Sequence, residues 1–114
     1  MDAFEIADLL AEQKKSGVLY HEFLKVDALS TGVYSLPAGS TDPQHPHTED
    51  EVYFVLDGNA KIRVSTEDRA VSTGSIVYVP AGVEHRFHSI KEELKILVFF
   101  APSEGSGSAE EFDL

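Results

Sequence analysis

The chain changes its hydrophobic rhythm once. From residue 4 to about 15 the apolar positions recur at helical spacing. Phe4, Ala7 and Leu10 fall on one stripe with Ile6 and Leu9 beside it, Lys14 and Lys15 come last, and Gly17 stands where a helix stop belongs. Beyond Gly17 the period becomes two. LYHEFLKV (19–26) and LSTGVYSL (29–36) read as strands, the second ended by the turn Pro37-Ala38-Gly39. EVYFVL (51–56) predicts a third strand that stops at Asp57-Gly58. AKIRV (60–64) then alternates cleanly, with Ala60, Ile62 and Val64 opposite Lys61 and Arg63. A short strand at Ala70 and Val71, IVYV (76–79) before the turn Pro80-Ala81-Gly82, EHRFHSI (84–90) and LKILVFFA (94–101) complete the series.

About eight short strands, punctuated by Gly, Pro or Asp and joined without helical crossovers, predict an all-β antiparallel sandwich or barrel behind one short helix. A single domain is expected over residues 1–101. Residues 102–114 contain SEGSGSAEE and are expected to form a flexible acidic tail.

Composition narrows the class. At 114 residues the chain suits one domain, which buries somewhat under roughly 70% of its surface on folding. The formal net charge of −11 repels phosphate backbones and anionic lipid, so neither nucleic acid nor a membrane is expected as a partner. With no cysteine, disulfides, thiolate metal sites and cysteine nucleophiles are excluded together. Asp2 stands where a secretory signal carries positive charge, and no apolar run reaches membrane-spanning length; a soluble cytoplasmic protein is the expectation.

Candidate chemistry concentrates in HPHTEDE (45–51). In an extended segment residues two apart point the same way, so His45, His47, Glu49 and Glu51 share a face. His85 lies 34 residues beyond Glu51, on another strand just past a Pro-Ala-Gly turn. A fold that joins the two strands gathers three imidazoles and a carboxylate. Nitrogen and oxygen donors in that ratio suit Fe, Mn, Zn, Ni or Cu as divalent ions, and the sequence does not choose among them. Read alone, the heptapeptide is more often a solvated acidic turn than a metal site. By parity Tyr53 and Val55 follow Glu51 inward, Phe87 and Ser89 accompany His85, and His88 points away. Tyr53 either fills the interior or donates a hydrogen bond or proton to a bound ligand. Arg63 and Arg86 are expected at the surface, and His21 has no companion.

The spacing resembles the cupin family. The first cupin motif, G-x5-H-x-H-x3-E-x6-G, is met by Gly39, His45, His47, Glu51 and Gly58. The second, G-x5-P-x-G-x2-H-x3-N, is met by Gly74, Pro80, Gly82 and His85, with Ser89 replacing the final asparagine. The match spans residues 39–89. The resemblance implies a double-stranded β-helix (jelly-roll) barrel with a divalent transition metal in its mouth, held by His45, His47, Glu51 and His85. It selects Glu51 over Glu49, which parity does not separate. It further implies a homodimer and a small-molecule ligand.

Cupins carry many chemistries, so fold alone does not give activity. The leading expectation is a metal-dependent, dioxygenase-like enzyme, with Glu51 and Tyr53 as the groups that handle protons. Alternatives are a metal-assisted isomerase or lyase, and a non-catalytic module that binds a metal or small ligand.

Overall fold

The computed structural model describes residues 1–43 and 46–105. Helix α1 (Ile6–Ser16) comes first and ends at Gly17, whose φ of 75° lets its N–H reach the Gln13 carbonyl. The helix seats Leu9 and Gln13, one turn apart, rather than the Phe4–Ala7–Leu10 stripe that spacing suggested. Gln13 decides this. Its amide donates to the carbonyls of Leu19 and Val33, and its oxygen accepts from Ser35 Oγ, which ties the helix to the first two strands.

Six strands follow: β1 (Tyr20–Val26), β2 (Leu29–Leu36), β3 (Asp50–Val64), β4 (Glu67–Ser72), β5 (Ile76–Val79) and β6 (His85–Ala101). All pairings are antiparallel, in the order β1-β2-β6-β3-β4, with β5 also on β3. Tyr34, Leu36, Tyr53, Val55, Phe87, Leu94, Ile96, Val98 and Phe100 fill the interior at 0% exposure. Among the described residues, no helix is long and apolar enough to cross a membrane.

Two pairs of expected short strands are in fact two long ones. β3 runs through Asp57-Gly58, and β6 runs through residues 91–93. In each, the buried set changes parity midway: 51, 53 and 55 become 60 and 62 in β3, while 85 and 87 become 90, 94, 96, 98 and 100 in β6. The phase shifts lie at bulges. The β3–β6 register slips between Val55 and Lys61, beside Gly58 at φ 101° and across from Ser89 at φ 50°. A Cβ on Gly58 would stand 2.3 Å from the Glu93 carbonyl oxygen, so only glycine fits. Ser89 occupies the place where the motif carries asparagine, the non-glycine residue best suited to left-handed backbone. The same bulge turns Ser89 outward, against its expected inward direction.

Ser103, at 3% exposure, donates its N–H to the Asp27 carbonyl, and Glu104 donates its N–H to Ser30 Oγ. Residues 102–105 are therefore seated on the β1–β2 hairpin. The remainder of the expected acidic tail, 106–114, lies outside the described residues.

Candidate metal centre

Along the β3–β6 ladder Glu51 pairs with Phe100 and His85 pairs with Val64, so the two acceptors lie 13 residues apart (51 to 64). A flat ladder would separate them by about 44 Å at 3.4 Å per residue, more than the 35 Å longest dimension of the molecule. Instead His85 Nε2 stands 3.1 Å from Glu51 Oε1. The bulges bend the sheet until its ends meet, and β5 bridges the closure by pairing with residues 51–54 and delivering the Pro80-Ala81-Gly82 turn to His85.

His47 completes the group from the loop ahead of β3. Its carbonyl accepts the Gly82 N–H at 2.6 Å, joining the two motif segments directly. His47, Glu51 and His85 each offer a ligand atom, all within 4.8 Å of one another, and are 2%, 1% and 4% exposed. His45 lies outside the described residues. Glu49 is buried but is not in this group; one of its oxygens accepts the Thr48 hydroxyl. Tyr53 is buried next to His85, with ring centroids 6.0 Å apart, and stacks edge-on against Phe87. Phe100 packs edge-on against the His47 ring, giving the cluster an apolar wall.

The donor chemistry suits a cation. His85 Nδ1–H donates to the Val83 carbonyl at 2.9 Å, which leaves the Nε2 lone pair aimed at Glu51 when the ring is neutral. Neither Glu51 oxygen has a well-aligned hydrogen-bond donor among the described residues. Burial pushes the Glu51 carboxyl above its ordinary range, against the opposing pull of His85 and Tyr53. For His85, burial lowers the pKa, but contact with the Glu51 carboxylate and the Val83 carbonyl outweighs it and the net direction is up. A lone pair facing a carboxylate in a dry cavity is relieved by a shared proton or by a metal ion.

Other expected positions fall as follows. Val55 and Phe87 point inward, while Arg63 and Arg86 are exposed, opposite each other on the outer face. His88 faces away, held between Ser89 Oγ and Asp68. His21 is half-buried, 3.9 Å from Glu12.

Asp42 is a positioning residue that periodicity does not reveal. Buried in the loop that leads to His47, it accepts the Tyr34 hydroxyl on Oδ1 (2.6 Å) and the Phe87 N–H on Oδ2 (2.9 Å). One carboxylate thus fastens that loop to β2 and to β6, two residues from His85. Its only sequence signal is a charge inside the first motif.

The strand arrangement is the double-stranded β-helix of solved cupin-like structures. The chain is 50% identical over 104 residues to an uncharacterised protein of Streptomyces coelicolor, covering 91% of this chain and 99% of that one. It is 32% identical over 85 residues to acireductone dioxygenase 3 of Physcomitrium patens, covering 70% of this chain and 42% of that enzyme. The crystal structure of the DMSP lyase DddQ from Ruegeria pomeroyi matches with a TM-score of 0.63 at 30% identity, over 67% of this chain and 39% of that one. The chain spans less than half the length of either enzyme. Residues 32–100 match the cupin domain family, and the chain belongs to that family.

Proposed function

We propose that this chain is a metal-dependent enzyme acting on a small organic molecule, with dioxygen chemistry as its reaction and His45, His47, Glu51 and His85 as its ligands. The observation that carries the reading is the convergence of three buried acceptor side chains inside an apolar barrel. A divalent first-row ion held there would supply a Lewis-acidic centre. Glu51 balances part of the ion's charge and offers a carboxylate oxygen to a proton. Tyr53 holds a hydroxyl beside it that donates to a bound substrate oxygen. Phe87 and Phe100 keep water away from the reacting atoms.

The match to a DMSP lyase supports a second reading, in which Tyr53 or Glu51 takes a proton from the substrate as its leaving group departs, and a bound ion would polarise the substrate. Both readings predict a bound metal; they differ in whether oxygen is consumed.

The test is elemental analysis of protein purified without chelator, followed by anaerobic reloading with Fe(II). Oxygen uptake is then followed over diketones, catechols, flavonols and an acireductone, with a parallel anaerobic assay of dimethylsulfoniopropionate cleavage. Uptake on one substrate class supports the oxygenase, and cleavage without uptake supports the lyase. Stoichiometric metal with no turnover in either arm assigns a binding module. Protein that takes up no metal refutes the centre itself.

A further inference from the structure

We infer that Glu104 is a positioning residue for His47, delivered into the interior by a strap formed from residues 102–105; the inference rests on the metal-centre reading above. The strap lies beyond the residues that match the cupin family, 32–100, so the family pattern does not require it.

Three hydrogen bonds hold it. Ser103 N–H donates to the Asp27 carbonyl at 3.2 Å, Glu104 N–H donates to Ser30 Oγ at 2.8 Å, and Lys25 Nζ donates to the Glu104 carbonyl at 3.1 Å. All three use main-chain atoms of the strap. They fix where the Glu104 side chain must go, and it goes inward. Its carboxylate is 12% exposed and sets Oε2 3.9 Å from Nδ1 of His47, whose own side chain is 1% exposed. The buried Tyr20 hydroxyl, itself without a hydrogen-bond partner among the described residues, lies in the same region; after burial itself, the Glu104 charge is the largest influence holding its proton on.

Sending a carboxylate from an acidic tail into an apolar interior is costly without a cationic or N–H partner. The His47 ring, 3.9 Å away, is one such partner. A ligating histidine donates its second ring N–H to a carboxylate or carbonyl, which fixes its tautomer and aims the other nitrogen. His85 does this with the Val83 carbonyl; Glu104 is the carboxylate placed to do it for His47. At 3.9 Å the two atoms stand farther apart than a hydrogen bond, and we expect them to close when the opposite ring nitrogen takes a metal.

The experiment titrates wild type, Glu104→Gln, Glu104→Ala, Ser30→Ala and His85→Ala with Co(II) and Zn(II) against a competing chelator. It also records the Co(II) absorption spectrum and the exchange-protected imidazole N–H signals of the Zn(II) form. Because the strap bonds are main-chain, Glu104→Ala should keep the melting temperature of the metal-free protein. It should lose roughly 10- to 100-fold in metal affinity, with Glu104→Gln, which keeps an acceptor, in between. One protected N–H signal should vanish in Glu104→Ala and persist in wild type. Ser30→Ala, which loosens the strap and leaves the carboxylate intact, should weaken binding in the same direction by less. Equal affinity and an unchanged N–H spectrum in both Glu104 variants would overturn the inference while leaving the metal centre standing. If wild type binds no better than His85→Ala, the centre falls and this inference with it.

Discussion

The carboxylate of Asp42 gives the most quantitative handle on how the site is held. Asp42→Ala removes the acceptor of the Tyr34 hydroxyl and of the Phe87 N–H, both buried. A hydrogen bond to a charged group contributes about 1.5–3 kcal/mol, and its loss strands the donor. The two together place the expected cost at about 3–6 kcal/mol, a large fraction of a domain stability of about 5–15 kcal/mol. At roughly 4 °C per kcal/mol for a domain of this size, the melting temperature should fall by about 10–25 °C. Circular dichroism melts with a urea titration measure it. Tyr34→Phe removes one of the two bonds, so about 1.5–3 kcal/mol is expected. The double variant should then be less destabilised than the sum, because the phenol that Asp42→Ala strands is gone. A drop under 5 °C for Asp42→Ala, or strict additivity in the double variant, would refute the claim that this carboxylate fastens the loop.

His85→Ala removes one donor from an intact barrel; tight metal binding should disappear while the far-ultraviolet spectrum stays that of a β protein, and unchanged metal content would end the ligand assignment. Gly58→Ala combines a positive φ with a Cβ pressed on the Glu93 carbonyl and should cost at least about 3 kcal/mol, checked by urea unfolding. The third concerns alkaline pH. Burial holds the Tyr20 and Tyr34 hydroxyls protonated well above the usual tyrosine range, with Glu104 and Asp42 respectively adding to it. A raised folded-state pKa gives stability that is complete below the unfolded value near 10 and is lost above it. Stability should therefore fall above about pH 10, by roughly 1.4 kcal/mol per pH unit for each tyrosine, with a shallower slope in Tyr34→Phe.

The parts of this molecule that obey local rules could be read from its residues. The parity of 51, 53 and 55, of 60 and 62, and of 85 and 87 predicts their burial, because each short segment alternates on its own. What escapes periodicity is the phase change. Gly58 reads equally as a chain reversal or as a bulge within a continuing strand, and only pairing with β6 decides between them. Ser89 fails for the same reason, since its left-handed backbone lies inside a strand whose sequence shows no glycine there. Parity left Glu49 and Glu51 equivalent; the cluster contains Glu51, as the motif spacing implied. Asp42 and Glu104 are invisible to pattern because each works from irregular backbone, where only the long-range partners Tyr34, Phe87, Lys25 and Ser30 reveal its role.

The rolled β3–β6 ladder has a thermodynamic corollary. An ion held by Glu51 and His85 would be a rivet between the two rims of one folded ribbon, so its binding energy would oppose uncurling as well as local motion. Stripping it should loosen the seam at β5, whose four residues pair with no strand but β3 among the described residues, before the central hairpins feel anything. Hydrogen exchange would then rise first at Ile76–Val79, making that short strand a gauge of occupancy at a centre it does not itself ligate.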